Sequence, residues 1–275
     1  MRNVAAALAG FVLVAAALSA QATITVTNQW HLGEADAGAS ASGAGAATTV
    51  DSIGGFSLNK VGAPTYASDV PPGIGSSLSM AFNGTTDEYM NTSGVASTLT
   101  DNFGIEAWVK SNGSTVGNAT IAYNGNTSNA GWGIYRLGTD YGLLYGGNIG
   151  APVTPISTQW MELALVRNNG VTTFYVNGVA SYTTATGPNS PAGGVGIGGN
   201  PLISGGELFD GKIDEVRIFS FAPGAFAVSD LNLPPPPPVV PTPVLGLRSL
   251  GLLVLGLFGL TWLGLRRRKA NTISV

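Results

Sequence analysis

Chemistry in this chain would have to come from a small set of side chains. Histidine occurs once, at His31, and cysteine is absent. A tetrahedral zinc site or a Ser-His-Asp nucleophile would have to be built around that one ring; beside Trp30 it reads instead as a surface or strand-edge histidine. Carboxylates are more numerous. Asp214 and Glu215 are adjacent in Lys212-Ile213-Asp214-Glu215-Val216-Arg217, and glycoside hydrolysis needs an acid and a nucleophile a few ångströms apart. Neighbours on a regular strand face opposite ways, so this pair is not expected to serve one substrate. Asp214 shares a face with Val216 and Ile218, which read as core, so its carboxylate needs a partner away from water. The third group is aromatic. Trp132, Tyr135, Tyr141 and Tyr145 cluster in sequence among Asn-rich turns; exposed ring faces stack on sugars and amides bond to hydroxyls. These four are the candidate ligand-binding residues.

Both ends of the chain carry targeting patterns. Arg2 precedes an apolar run from Val4 to Leu18, then the small-x-small triplet Ala20-Gln21-Ala22, the pattern of a cleaved secretory leader. Cleavage would leave Thr23 as the new N-terminus. Near the other end, Val240-Pro241-Thr242-Pro243 precedes an apolar run that stops at Arg266-Arg267-Arg268-Lys269. From Val244 that run would span about 33 Å as a helix, against a hydrocarbon core of about 30 Å. The basic cluster places the C-terminus in the cytoplasm. This order resembles the PEP-CTERM class of C-terminal sorting signals, as a variant with Thr242 where the class has Glu. The resemblance implies an exosortase-type membrane protease as partner, an inner-membrane precursor in a Gram-negative bacterium, and a final place at the cell surface or in the extracellular matrix. A plain tail anchor is the alternative.

Between the ends, six basic residues (Lys60, Lys110, Arg136, Arg167, Lys212 and Arg217) stand against all fifteen acidic ones, a net charge of −9. Such a surface repels phosphate backbones, which excludes nucleic acid as a partner. Without cysteine an exported chain has no disulfides, so a sizeable core or bound ions must stabilise it.

The elements that would position these residues are short strands. Leu78, Met80 and Phe82 alternate, as do Phe103, Ile105, Ala107 and Val109, and Met161, Leu163 and Leu165; this period of two predicts half-buried antiparallel strands. Asn177-Gly178 and Asn169-Gly170 fit the positive φ of tight hairpin turns. Ala35 to Thr49, rich in Ala, Gly and Ser, is expected to be a flexible loop, and Pro234 to Pro238 a stiff spacer. The fold class is all-β, an antiparallel sandwich. Expected boundaries are a leader at 1–22, a β domain at 23–233, linker and sorting motif at 234–243, a membrane span with basic cluster at 244–269 and a cytoplasmic tail at 270–275.

From Gln29 to Leu231 the chain resembles the laminin-G-like jelly rolls of the concanavalin A-like superfamily. The segments that carry this are Trp30-His31-Leu32-Gly33-Glu34, Asp51-Ser52-Ile53-Gly54, Ser77 to Gly84, Phe103 to Lys110, Trp160 to Val166, Phe174 to Gly178 and Gly211 to Ile218. The resemblance implies a twisted double sheet, frequent calcium sites and recognition of carbohydrate or protein; it implies no reaction. Glu34 and Asp51 lie near the domain start, and the ends of a jelly roll often meet, so Glu34, Asp51 and Asp214 are the expected calcium ligands. Some bacterial glycosidases of that superfamily carry Glu-x-Asp-x-(x)-Glu on one strand; here Lys212 and Val216 or Arg217 stand where glutamates would be needed. The expected function is a non-catalytic cell-envelope or matrix protein that binds carbohydrate or another surface component. A self-assembling surface protein and, further off, a glycoside hydrolase are the alternatives. Cell fractionation with intact-mass analysis checks the sorting: cleavage near Val240–Pro243 should remove Arg266 to Lys269 and leave a more acidic product outside the inner membrane. A mature protein that stays there with its arginines attached, in a strain carrying an exosortase, is a plain tail anchor.

Overall fold

The computed structural model describes residues 23–235. The leader, the motif Val240–Pro243, the apolar run and Arg266–Lys269 lie outside the described residues. Among the described residues no helix is long and apolar enough to cross a membrane.

Two antiparallel eight-stranded sheets form the domain. One runs β14 (Val179–Thr184), β13 (Val171–Val176), β12 (Met161–Asn168), β7 (Phe103–Ser111), β16 (Asp210–Phe221), β5 (Ser79–Asn83) and β4 (Thr65–Ala67), with β1 (Ile24–Trp30) also paired to β16. The other runs β11 (Ile149–Pro155), β10 (Asp140–Tyr145), β9 (Ala130–Leu137), β8 (Ala119–Asn126), β15 (Gly194–Ile197), β6 (Glu88–Asn91), β3 (Leu58–Val61) and β2 (Thr48–Thr49). Asn169-Gly170 and Asn177-Gly178 turn the chain between β12, β13 and β14 with positive φ at all four residues, as the sequence predicts. β16 is the pivot. It pairs with β7 along one edge; along the other its first half meets β5 and its second half meets β1.

The alternating residues Phe103, Ile105, Ala107 and Val109 point into the space between the sheets, with Leu163, Leu165, Ile213 and Ile218. The expectation of half-buried strands is exceeded in this sheet. Its outer face carries a second apolar cluster of Ala164, Val166, Phe219, Phe221 and Leu231, because the segment after β16 folds back over it. Trp108, on that face, donates Nε1–H to the Asn232 carbonyl at 3.0 Å. Gly104 is required here: a β-carbon on it would lie 2.2 Å from the Phe219 ring, closer than any packing allows.

Two expectations need correction. Ala35–Thr49 is not a loose loop. Asp36 accepts from the Tyr66 hydroxyl at 2.9 Å and from Val50 N–H at 2.8 Å. Gly45 N–H bonds to the Pro64 carbonyl, and Tyr89 donates to the Ala46 carbonyl. Small residues let this segment lie close against its neighbours, which composition alone mistakes for freedom. Nor do the four aromatics form a surface platform. Trp132, Tyr141 and Tyr145 are fully buried and Tyr135 nearly so. Trp132 stacks on Phe103 at 4.3 Å and donates to the Leu99 carbonyl, and Tyr145 shares a 2.7 Å bond with Thr172. Large rings on adjacent central strands release most free energy when buried, and these do. Trp132→Ala should therefore cost about 3–5 kcal/mol in urea unfolding; a surface sugar platform would leave stability unchanged.

Candidate functional site

A β-bulge builds the site. Asp214 of β16 faces Trp108 of β7, but Arg217 faces Glu106, so Glu215 and Val216 oppose one residue of β7. Glu215 takes φ +49° to make the step, and a bulge re-aims the side chains around it. Strict alternation, from which Asp214 and Glu215 are expected to face apart, is broken at this point. The carboxylates of Glu34, Asp214 and Glu215 instead lie within 4.8 Å of one another.

Above them opens a cleft of about 340 Å³ between β1, the turn that carries Glu34, the loop at Ile74–Ser76 and the bulge. Its carboxylates, Gln29 and His31 are held by hydrogen bonds. Glu215 accepts from Gln29 Nε2 and pairs with His31 Nδ1, both at 2.8 Å. That partner raises the affinity of His31 for its proton, ahead of the opposing effect of burial. Burial pulls the Glu34 carboxyl up, yet Ser77 N–H at 2.6 Å and Leu78 N–H at 2.9 Å outweigh it and leave the group below its ordinary value. Ser76 Oγ lies 2.7 Å from Asp214 Oδ2 and 3.1 Å from Glu34 Oε1. Asp214 is wholly buried. Burial first, then the nearby charges of Glu215 and Glu34, push its carboxyl up to about 9. It is a neutral acid at pH 7, sealed beneath the cleft.

Of the three carboxylates expected to share calcium, Glu34 and Asp214 lie close together and Asp51 does not join them. Asp51 stands outside the carboxylate group, engaged with its own loop. Its oxygens accept N–H bonds from Gln29, Ile53, Gly54 and Phe56 and the amide of Asn28. Burial opposes ionisation, and this fan of donors still sets the carboxyl below its usual value. Asp51 is a loop fastener, and Glu215 takes its place beside Glu34 and Asp214.

Sequence reasoning misses a neighbouring buried network. Glu106 and Glu162 are fully buried, side by side on paired strands, and Arg217 reaches Glu106 at 2.6 Å. Burial raises both carboxyls; the Arg217 charge opposes this at Glu106, while the Glu106 charge adds to it at Glu162, so the proton is favoured on Glu162 and Glu106 pairs with Arg217. Asn232 N–H donates to Glu106 at 2.7 Å and Gly178 N–H to Glu162 at 2.9 Å. Arg217 and Asn232 also line the cleft, which joins the two. The alternation of Glu106, Trp108 and Lys110 shows that they share a face; that this face is covered is a tertiary fact.

Comparison with known proteins gives a consistent picture. The sequence pattern of the family described as the concanavalin A-like lectin/glucanases superfamily matches residues 83–228, more than half of the chain. Its match takes in Glu215 and Arg217 but begins after Gln29, His31 and Glu34. No curated protein matches the sequence. Domain 4 of AbnA, an extracellular arabinanase of Geobacillus stearothermophilus solved with arabinotriose, superposes with a TM-score of 0.50 at 18% identity, covering 76% of this chain and 98% of that one. A Trypanosoma rangeli sialidase gives 0.48 at 16%, over 76% of this chain and 32% of its own. The carbohydrate-binding module of a Ruminococcus gnavus sialidase, bound to sialyllactose, gives 0.44 at 11%, over 56% and 94%. At 18% identity the likeness to the arabinanase domain speaks for the fold alone.

The buried acid has a thermodynamic signature. An unfolded Asp ionises near 3.9, whereas folded Asp214 keeps its proton up to about 9. Between those values the folded state binds a proton that the unfolded state has lost, so this group costs stability as pH rises. Asp214→Asn should gain on the wild type by about 1–3 kcal/mol between pH 5 and pH 8 in urea unfolding. Parallel curves would show that Asp214 is ionised.

Proposed function

We propose, for a chain that belongs to the concanavalin A-like lectin/glucanases superfamily, that it is a non-catalytic exported cell-envelope protein whose cleft at the β16 bulge binds carbohydrate. The observation that carries this is the chemistry of the cleft lining. Gln29, His31, Ser76, Arg217 and Asn232 supply donors and Glu34 and Glu215 supply acceptors in one concavity. Hydroxyl groups donate and accept at once, so such a mixture suits a polyhydroxylated neutral ligand. An anionic polymer would meet an exported surface of formal charge −9. The arabinotriose held by the related arabinanase domain is in keeping with this class.

The bulge removes one objection to hydrolysis by bringing Asp214 and Glu215 together, and two further features count against it. Asp214, the acid held protonated, is sealed under Ser76 and has no surface to offer a glycosidic oxygen. Each Glu215 oxygen already accepts one bond, from Gln29 or His31, so it can accept a further bond from a hydroxyl but is a poor nucleophile. Export and sorting by an exosortase-type system rest on the two end patterns of the sequence. Calcium belongs to the same reading: Glu34, Asp214 and Glu215 offer hard oxygen donors, and Asp214 would have to give up its proton to the cation.

The test is a polysaccharide pull-down and glycan array with the purified protein, repeated in chelator and in calcium. Gln29→Ala and His31→Ala should each weaken carbohydrate binding about tenfold, or 1.4 kcal/mol, with little change in melting temperature. Calcium at a hundred times its dissociation constant should raise stability by about 2.7 kcal/mol, and coincident melts with and without it would remove the ion from this reading. No binding to any matrix polymer in either condition, with a concentration-dependent oligomer, would favour the self-assembling protein. Turnover lost on changing Glu34 or Glu215 would make it a hydrolase.

A further inference from the structure

The two ends of the described chain meet at one carboxylate. Thr23 immediately precedes β1, and Asp230 closes the short 3-10 turn Val228–Asp230 after β16. The Thr23 backbone N–H donates to Asp230 Oδ1 at 3.0 Å, and the Thr23 hydroxyl bonds to Oδ2. Ala227 N–H holds Oδ2 as well, at 2.9 Å. The Asp230 carbonyl accepts from Arg217 Nη2 at 2.6 Å, and two residues on Asn232 is tied to Glu106 and Trp108. Asp230 is 7% exposed. Burial opposes its charge, but the Thr23 hydroxyl, the Ala227 and Thr23 N–H groups and Arg217 set its carboxyl below the ordinary value, so it is an anion at neutral pH.

This geometry holds an opening for a charge that the unprocessed chain does not have. In the precursor the Thr23 nitrogen is a peptide amide with one hydrogen. The leader pattern Ala20-Gln21-Ala22 puts the cleaved bond between Ala22 and Thr23. Hydrolysis there consumes one water, leaves a carboxylate on Ala22 and releases Thr23 as an ammonium with three hydrogens. We infer that leader removal completes an ion pair between the Thr23 α-ammonium and Asp230, and that this pair fastens the strap Asp230–Asn232 from which the proline-rich segment leaves the domain. Before cleavage the strap is held at this point by neutral N–H and hydroxyl donors and by Arg217; afterwards a charge-assisted bond replaces the amide one, and such bonds are roughly twice as strong. Maturation at the N-terminal end thereby tightens the root of the C-terminal segment. The inference rests on the export reading above and is independent of what the cleft binds.

The ionisable groups around the pair settle the sign of its pH dependence. Asp230 faces the amine directly and favours its charged form. Arg217 of β16 opposes it from the far side of Asp230, but Glu106 of β7 neutralises Arg217 at 2.6 Å. The amine should thus titrate above its ordinary range of about 7.7–8.0. Its contribution to stability is complete below the unfolded value and is lost as pH rises through the folded one.

The experiment takes the full chain, expressed with its leader and purified from the cell. Intact mass identifies the N-terminus, and pulse acylation from pH 6 to 10, read on the N-terminal peptide, gives the midpoint of the α-amine. The expected result is a chain beginning at Thr23 whose amine titrates about one unit higher folded than in urea, reacting about tenfold more slowly at pH 7. Asp230→Asn should return the midpoint to the urea value, and Asp140→Asn should leave it raised. Because Asp230→Asn can loosen the strap, the comparison of folded and urea-unfolded wild type decides by itself. Equal midpoints in a chain that begins at Thr23 overturn the ion pair and leave the leader reading intact. A chain that begins elsewhere overturns both.

Discussion

Arg217 stands where the covered outer face of one sheet, the C-terminal strap and the cleft come together, and the buried carboxylates around it set the terms for each. It reaches Glu106 and the Asp230 carbonyl, both at 2.6 Å, while it lines the cleft. Removing a carboxylate from water costs several kcal/mol unless it gains a proton, a cation or several N–H donors. All three solutions occur within a few residues of β16. Glu106 takes the cation. Glu162 and Asp214 are pushed toward their protonated forms, chiefly by burial. Glu34, at the cleft, takes a cluster of donors from Ser77 and Leu78. Strap, bulge and cleft therefore depend on one another: Glu106 binds Asn232 N–H, and Asn232 forms part of the cleft wall.

Much of the fold was legible because its signals are local. Alternation in Phe103–Val109 and in Met161–Leu165, and Asn-Gly at two hairpins, report on residues within reach of one another along the chain. The fate of Trp132, Tyr135, Tyr141 and Tyr145 was not local. Whether an aromatic residue on a strand faces a ligand or a second sheet depends on what the rest of the chain lays over it, and here Phe103 of the opposite sheet stacks on Trp132. The site was legible in part. Glu34 and Asp214 do meet, as the resemblance implied, but Glu215 joins them through one residue at φ +49°. A non-glycine bulge has no composition signal, and a strict period of two sends Glu215 to the wrong face. Asp51 failed for the opposite reason: one residue type, with two good readings, took the local one. Four backbone N–H groups close at hand outcompete a distant shared ion.

Central strands of both sheets are buried on both faces; the sheet of β7, β12 and β16 holds Glu106, Glu162 and Asp214, and the other holds Glu88 and Arg136. A chain without cysteine can be stabilised this way because each additional covered face adds apolar area removed from water. The strap is the least costly such cover. It brings Leu231 onto Ala164, Val166 and Phe219, and its backbone bonds to Glu106, Trp108 and Arg217.

The raised carboxyls also bear on the electrostatics of residues 23–235. A formal charge of −9 treats every Asp and Glu as ionised. Burial raises the carboxyls of Asp214, Glu162, Glu106 and Glu88, so the folded domain is less acidic near neutral pH than that count. His31 acts in the same direction, since its pairing with Glu215 raises its affinity for a proton. The field at the cleft is thus weaker than the net charge suggests, and the remaining acidity belongs to the rest of the surface. On the proposed reading, long-range repulsion keeps copies of the domain apart, while the cleft takes up a neutral, hydroxyl-rich ligand.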